Sequence, residues 1–333
     1  MTGQSNTVLV TGGAGYVGSH VCKALHDAGY LPVTYDNLSR GFRWAVKWGP
    51  FEHGALSDSG TLEKTLEMYT PIGVIHLAGY AYVGESVQHP EMYRVNNIGG
   101  SQALIDVLSK SKQAKIPIVF SSTCSIYGNY GVVPLNEKSP AQPMNPYAMG
   151  KLAVEAMLAR NLESSGAPYM ALRYFNASGA DPMGDVGEAH DPETHLIPLA
   201  LEVAAGLREE ITVFGTNHET EDGSCVRDYV HVSDLAEAHV RALECLLAGD
   251  APTVVNLANG KGYSVFDVIN AVRRVTGKEV RVRHGSNRGG DPAILIGDAR
   301  LAKTTLNWSP RYSDLDAQVD HAWAWFKSYR GLT

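Results

Sequence analysis

Tyr147 and Lys151 stand four residues apart at the start of a segment with helical character, so both side chains project from one face. A phenol with an unperturbed pKa of about 10 is a poor base at neutral pH, and a neighbouring ammonium favours its ionised form. The pair could therefore take a proton from a hydroxyl-bearing carbon while hydride leaves the same carbon. By itself the spacing recurs in unrelated chains. Upstream, the apolar run Ile118-Val119-Phe120 passes directly into Ser121-Ser122-Thr123, which puts hydroxyls at the carboxyl end of an expected strand. Ligands bind at that edge of an open α/β sheet. Thr123 can there hydrogen-bond both a substrate oxygen and Tyr147, although loops and caps also use such clusters.

A second group of residues suits a dinucleotide. Thr11-Gly12-Gly13-Ala14-Gly15-Tyr16-Val17-Gly18 follows the first apolar run, and it matches GxGxxG at Gly13, Gly15 and Gly18 and GxxGxxG at Gly12, Gly15 and Gly18. Residues without side chains let the backbone turn sharply and approach a pyrophosphate, whose charge sits at the positive end of the following helix. Asp36 ends the second expected strand about 20 residues on, where a carboxylate accepts both ribose hydroxyls. It would repel a 2′-phosphate, which points to NAD rather than NADP. An Asp before Asn37 also serves as a turn former.

These groups need elements to position them. Short apolar runs at residues 8–10, 31–35, 74–77 and 116–120 alternate with helical stretches, among them one after Asp58 and one over 90–110. Continuous apolar runs separated by helices predict a parallel sheet covered on both faces, a Rossmann-type doubly wound α/β fold. A helix over about 146–164 and a strand over 169–173 complete it. Residues 179–193, rich in Gly, Pro, Asp and His, read as a long functional loop. Helices follow with a cap at Ser233, after Ser264, near Asp298 and from about Asp314. Residues 1–178 are accordingly expected to form the dinucleotide domain. Residues 179–333 are expected to form mostly a smaller α/β substrate lobe, with a segment around 230–260 returning at least the strand 254–257 to the main sheet. Trp323 and Trp325 on the last helix read as packing residues, with a dimer contact as the alternative.

Composition narrows the function classes. With 44% hydrophobic and 19% charged residues, a chain of 333 can bury a large core and is not disordered. The 28 Lys+Arg against 35 Asp+Glu give a net charge of -7 without a basic run, which argues against nucleic acid as a partner. Residues 1–6 are polar, without the regions of a signal peptide, and no apolar run approaches the roughly 20 residues of a membrane span. A soluble cytoplasmic protein is expected, without membrane association. Cys22, Cys124, Cys225 and Cys245 lack CxxC pairing and suit reduced core thiols, so no metal site is assigned.

Across nearly its whole length the chain resembles the extended short-chain dehydrogenase/reductase superfamily and, within it, the UDP-glucose (UDP-galactose) 4-epimerase family. The resemblance rests on Gly12 to His20, Asp36-Asn37-Leu38-Ser39, Val83-Gly84-Glu85-Ser86-Val87 and Asn145-Pro146-Tyr147. It continues in Arg173-Tyr174-Phe175-Asn176, Asp222 to Tyr229 and Leu306-Asn307-Trp308. It implies Tyr147 as the base, Thr123 where many members carry Ser, and Lys151 bridging the nicotinamide ribose and the phenol. NAD contacts are implied for Gly12, Gly15, Tyr16, Val17 and Gly18, and for Asp36, Asn37, Leu38, Ser39 and Gly41. Further NAD contacts are implied for Ala55, Leu56, Leu77, Ala78, Gly79, Ala81, Asn96, Ser121 and Phe175, besides Tyr147 and Lys151. The UDP-sugar would meet Asn176, His195, Leu196, Thr212, Phe214, Arg227, Arg288, Asp291 and Leu295, with Thr123 and Tyr147 at the sugar. Arg227 and Arg288 offer planar donor forks that match phosphate oxygens, and either could instead serve a structural salt bridge. The implied reaction inverts C4 of UDP-galactose or UDP-glucose: hydride leaves, the 4-keto sugar turns about the diphosphate, and hydride returns to the other face. A homodimer is also implied.

Five positions depart from the commonest family pattern. Ala55 replaces an Asp that often meets the adenine amino group, Ala81 stands where a Lys is frequent, and His195 where Asn is frequent. Thr123 keeps the hydroxyl of Ser and adds a methyl. Leu295 aligns with the residue whose bulk gates an N-acetyl group at C2, and leucine is intermediate. The stretch from Ala81 to Ser86 and the pair Thr194-His195 are similar to a branch with bacterial exopolysaccharide and pentose-handling epimerases, so UDP-pentoses and UDP-N-acetylhexosamines stay open as substrates. A nucleotide-sugar dehydratase would carry an Asp-Glu pair directly after the Thr, where this chain has Cys124 and Ser125. A non-catalytic dinucleotide sensor would need neither Tyr147 with Lys151 nor the arginines.

Overall fold

The computed structural model describes residues 6–249, 253–286 and 292–332. Its first half runs β1 (Thr7–Thr11), α1 (Tyr16–Asp27), β2 (Leu31–Asp36), β3 (Phe51–His53), α2 (Ser59–Tyr69) and β4 (Gly73–His76). Then come α3 (Val83–Gln88), α4 (Pro90–Tyr93), α5 (Gly100–Lys110), β5 (Ile118–Thr123), α6 (Pro146–Ser165) and β6 (Tyr169–Tyr174). The second half holds β7 (Asn176–Ser178), α7 (Leu196–Ala204), β8 (Ile211–Phe214), β9 (Val226–His231), α8 (Val232–Ala248) and β10 (Val254–Leu257). It ends with β11 (Gly262–Ser264), α9 (Val265–Thr276), β12 (Val282–Gly285), β13 (Ile294–Leu295), α10 (Arg300–Thr305) and α11 (Leu315–Arg330).

Seven parallel strands in the order β10-β6-β5-β4-β1-β2-β3 make the main sheet, and its strand order reverses between β1 and β4. Side chains alternate across it. Val8 and Val10 of β1 pack with Val21 and Leu25 of α1 and Leu235 and Leu243 of α8, while Leu9 faces Leu62 of α2, Leu104 of α5 and Val154 of α6. Both faces are therefore covered, which is why these strands are continuously apolar. The sheet belongs to a Rossmann-type fold. A third apolar cluster joins α7, α9 and α11 over β8 and β9. There β9 pairs with β7, β11 and β13, and β8 with β12.

Two expectations change. The helix read over 90–110 is broken: α4 passes through a π-helical turn, Arg94–Gly99, into α5. The apolar spacing runs on through that wider turn, so periodicity alone hides it. The helix assigned a Ser233 cap starts two residues earlier, capped by His231, whose Nδ1 accepts the Ser233 amide at 3.0 Å. The expected caps at Ser264 and Asp314 are present, the former as a reciprocal box with Asp267. Residues 179–193 contain no helix or strand and are tied to the first half. Tyr16 Oη donates to the Gly179 carbonyl at 2.7 Å, and Lys23 Nζ meets Asp181 at 2.7 Å and Asp185 at 2.6 Å.

Candidate active site

A cavity of about 1780 Å³ opens at the carboxyl ends of β1, β4 and β5, where the strand order reverses. It exceeds the roughly 300–1,000 Å³ of a pocket for one drug-sized ligand. The space suits two nucleotide-sized molecules end to end.

On the β1 side the backbone itself is the surface. Gly12 has φ 74°, and a Cβ at Gly18 would lie 2.1 Å from the Gly12 carbonyl oxygen, so only glycine fits at this crossing of turn and helix. The cradle that results opens onto the N-terminus of α1. At the end of β2, Asp36 is buried and accepts the Leu38 amide at 2.8 Å and the Ala14 amide at 3.1 Å. Burial pushes its carboxyl up, and these two amides hold it down. Each oxygen accepts only one amide, which leaves acceptor capacity for a pair of ribose hydroxyls at the cavity that Asp36 lines. The cradle and this carboxylate fit a dinucleotide.

The chemical groups come from β5 and α6. Asn145 caps α6 through the Ala148 amide, Pro146 fills the first turn, and Tyr147 is thereby set beside the end of β5. Burial, and then Tyr174, push the Tyr147 phenol up; its hydrogen bond with Thr123 pulls it down. Lys151 is buried behind them: its Nζ donates to the Ser121 carbonyl at 2.7 Å and lies 6.0 Å from the Tyr147 ring centroid. Burial lowers its pKa to about 8, against the attraction of Glu155. At neutral pH the ammonium is still charged.

The opposite wall is made by β7, β8, β9 and β13. Asn176, Thr212, Phe214, Arg227 and Leu295 line it, with Arg227 only 8% exposed. Behind Arg227, the buried Asp228 takes the amides of Asn259, Gly260 and Gly297 and locks β9 to the neighbouring turns. Burial raises that carboxyl to about 6.

Among the described residues, every site residue expected from the sequence lines this one cavity except Leu38 and Lys151. Leu38 sits in the left-handed region at φ 57° and contributes its amide to Asp36. Arg288 and Asp291 lie outside the described residues. Two contributors were passed over in the sequence. Tyr174 pairs with Ser121 Oγ at 2.6 Å beside Tyr147. Arg40 stacks over Tyr80 and Tyr82, its guanidinium 5.3 and 5.1 Å from their ring centroids, and meets Glu85 at 2.5 Å. Tyr174 was legible in the Arg173-Tyr174-Phe175-Asn176 segment; nothing in the spacing marks Arg40.

Residues 8–258 match the model of the NAD dependent epimerase/dehydratase family. The chain belongs to that family. A UDP-glucose 4-epimerase of Halalkalibacterium halodurans is 44% identical over 322 residues, covering 97% of this chain and 96% of the relative. The crystal structure of UDP-glucose 4-epimerase from Brucella ovis in complex with NAD superposes with a TM-score of 0.93 at 46% identity, over 97% of this chain and 98% of that one. The Stenotrophomonas maltophila UDP-glucose-4-epimerase, with bound NAD and formylated UDP-arabinopyranose, gives a TM-score of 0.92 at 36% identity, over 98% and 99%. Family membership accounts for both the glycine cradle and the carboxylate at the end of β2.

Proposed function

We propose that this chain is a UDP-sugar 4-epimerase acting on UDP-galactose and UDP-glucose, with Tyr147 as the proton acceptor and donor at the 4-hydroxyl. The observation that carries the roles is the meeting of Tyr147 and Thr123 at the end of β5, on the same cavity as the dinucleotide cradle and Arg227. NAD, when bound, supplies the acceptor and donor of the C4 hydride. Thr123 holds the 4-oxygen against the phenol, and its hydrogen bond is what lowers the phenol's pKa against burial, with the Lys151 ammonium behind the strand. Arg227, Asn176 and Phe214 grip the nucleotide, so the binding energy lies away from the ring. The keto sugar is then free to turn and be reduced on its other face. Residues 179–333 supply this grip, apart from α8 and β10, which complete the main sheet.

Val83, Val87, Val95 and Met149 are exposed on α3, the π-helical turn and α6, which pack together. That apolar face is the surface through which we infer a homodimer. No helix among the described residues is long and apolar enough to cross a membrane. The cytoplasm, where NAD and nucleotide sugars are found, is the compartment this reading requires.

Incubating purified protein with UDP-galactose, UDP-N-acetylgalactosamine, UDP-xylose and UDP-arabinose tests the assignment. Interconversion of UDP-galactose and UDP-glucose is expected to be fastest. Failure to convert any UDP-sugar would remove it.

A further inference from the structure

Glu188, His190, Glu193 and His195, from the end of the 179–193 loop and the start of α7, converge at the cavity wall. Each offers one ligand atom, and these atoms lie within 4.8 Å of one another. Both imidazoles present Nδ1. His190 Nδ1 is 3.3 Å from Glu193 Oε2 and 3.5 Å from Glu188 Oε1, and His195 Nδ1 is 3.2 Å from the same Glu188 oxygen and 2.9 Å from Glu193 Oε1. Bonds of about 2.0–2.1 Å to a tetrahedral cation place its ligand atoms roughly 3.3–3.4 Å apart, which three of these four separations approach.

Charge and support agree with that geometry. The Glu188 and Glu193 side chains are only 8% and 9% exposed, so two carboxylates are held together away from water. Glu193 is oriented by the amides of Thr194 and His195, which its Oε1 accepts at 2.8 and 2.9 Å, while its Oε2 faces His190 Nδ1 at 3.3 Å. An independent observation comes from Tyr82. Its ring packs on those of His190 and His195 at 5.7 and 5.8 Å, the residue is nine-tenths buried, and its hydroxyl has no hydrogen-bond partner; Glu193, Arg40, Glu85 and Glu188 are the charges that act on it. A water on a bound cation is the partner that this hydroxyl fits.

We propose that these four residues bind one divalent cation of the zinc class, which clamps the loop to the start of α7 beside the cavity. Mixed imidazole and carboxylate ligands in four-fold arrangement suit zinc. The spacing was missed in the sequence because metal sites were sought among the cysteines.

Untagged protein, stripped with a chelator and dialysed against Zn2+, is expected to hold one zinc per chain by mass spectrometry and to gain roughly 5 °C in Tm at saturation. The double substitution Glu188→Gln, His190→Asn is expected to weaken zinc binding roughly 100-fold or more, measured by competition with a chromophoric chelator. Crystals of the unsubstituted protein grown with zinc, examined at the zinc absorption edge, keep the test independent of how the variant folds. One anomalous peak among the four side chains supports the proposal. Substoichiometric zinc, a peak elsewhere, or unchanged affinity in the folded double variant would overturn it and leave the four side chains as hydrogen-bonded carboxylate–imidazole pairs.

Discussion

The two walls of the cavity are built by different means. On the dinucleotide side the contacts are backbone turns and strand-end side chains of a seven-stranded sheet, and Asp36, Thr123 and Lys151 are each buried. On the opposite side, short strands such as β8 carry the contacts, and Phe214 is 37% exposed. The sheet fixes the groups that must meet a reacting carbon to within fractions of an ångström. In the proposed reaction, short strands hold the nucleotide while the ring beyond it changes face. The sheet side thus buries these three polar groups, whereas the opposite wall sets the half-exposed Phe214 beside the buried Arg227.

Four substitutions probe that contrast. Tyr147→Phe is expected to lower kcat by roughly two to four orders of magnitude while the Kd for UDP, from calorimetry, stays within a few-fold. Equal loss in both would mean that the sheet side also carries the grip. Glu155 lies beneath the chemistry, its carboxylate 2.5 Å from the Arg173 guanidinium and both side chains nearly buried. Glu155→Leu leaves that arginine uncompensated and should reduce unfolding free energy by about 3–5 kcal/mol in urea titrations. On the opposite wall, Arg227→Ala should raise the Kd for UDP by roughly 10- to 100-fold, the worth of hydrogen bonds to a charged group, with little change in kcat. Phe214→Ala should weaken UDP by roughly 2- to 10-fold and leave Tm unchanged. A kcat collapse in either of the last two would erase the distinction between the walls.

How much of this was legible in the sequence follows the same division. The cradle and Asp36 were readable because a strand, a glycine turn, a helix and a strand-end carboxylate stand in one local order. Tyr147, Lys151 and Thr123 were readable because strand end and helix start each carry local signals. The broken helix at Arg94–Gly99 was not, since a π-helical turn keeps the apolar rhythm while adding a residue to the turn. His231 as a helix cap was hidden because an imidazole seldom takes that place, and Arg40 because its partners Tyr80, Tyr82 and Glu85 lie some 40 residues away. The hydrogen bond of the Lys151 ammonium to the Ser121 carbonyl was not legible, since it depends on rotamer and not on spacing.

The most direct test follows an isotope. UDP-galactose carrying deuterium at C4 is incubated in ordinary water with the purified protein and no added dinucleotide, and the UDP-glucose formed is analysed by mass spectrometry and NMR. Removal and return of one hydride within a closed site predicts that the label remains at C4. Loss of the label to solvent, or conversion that stops without stoichiometric added NAD, would contradict the account.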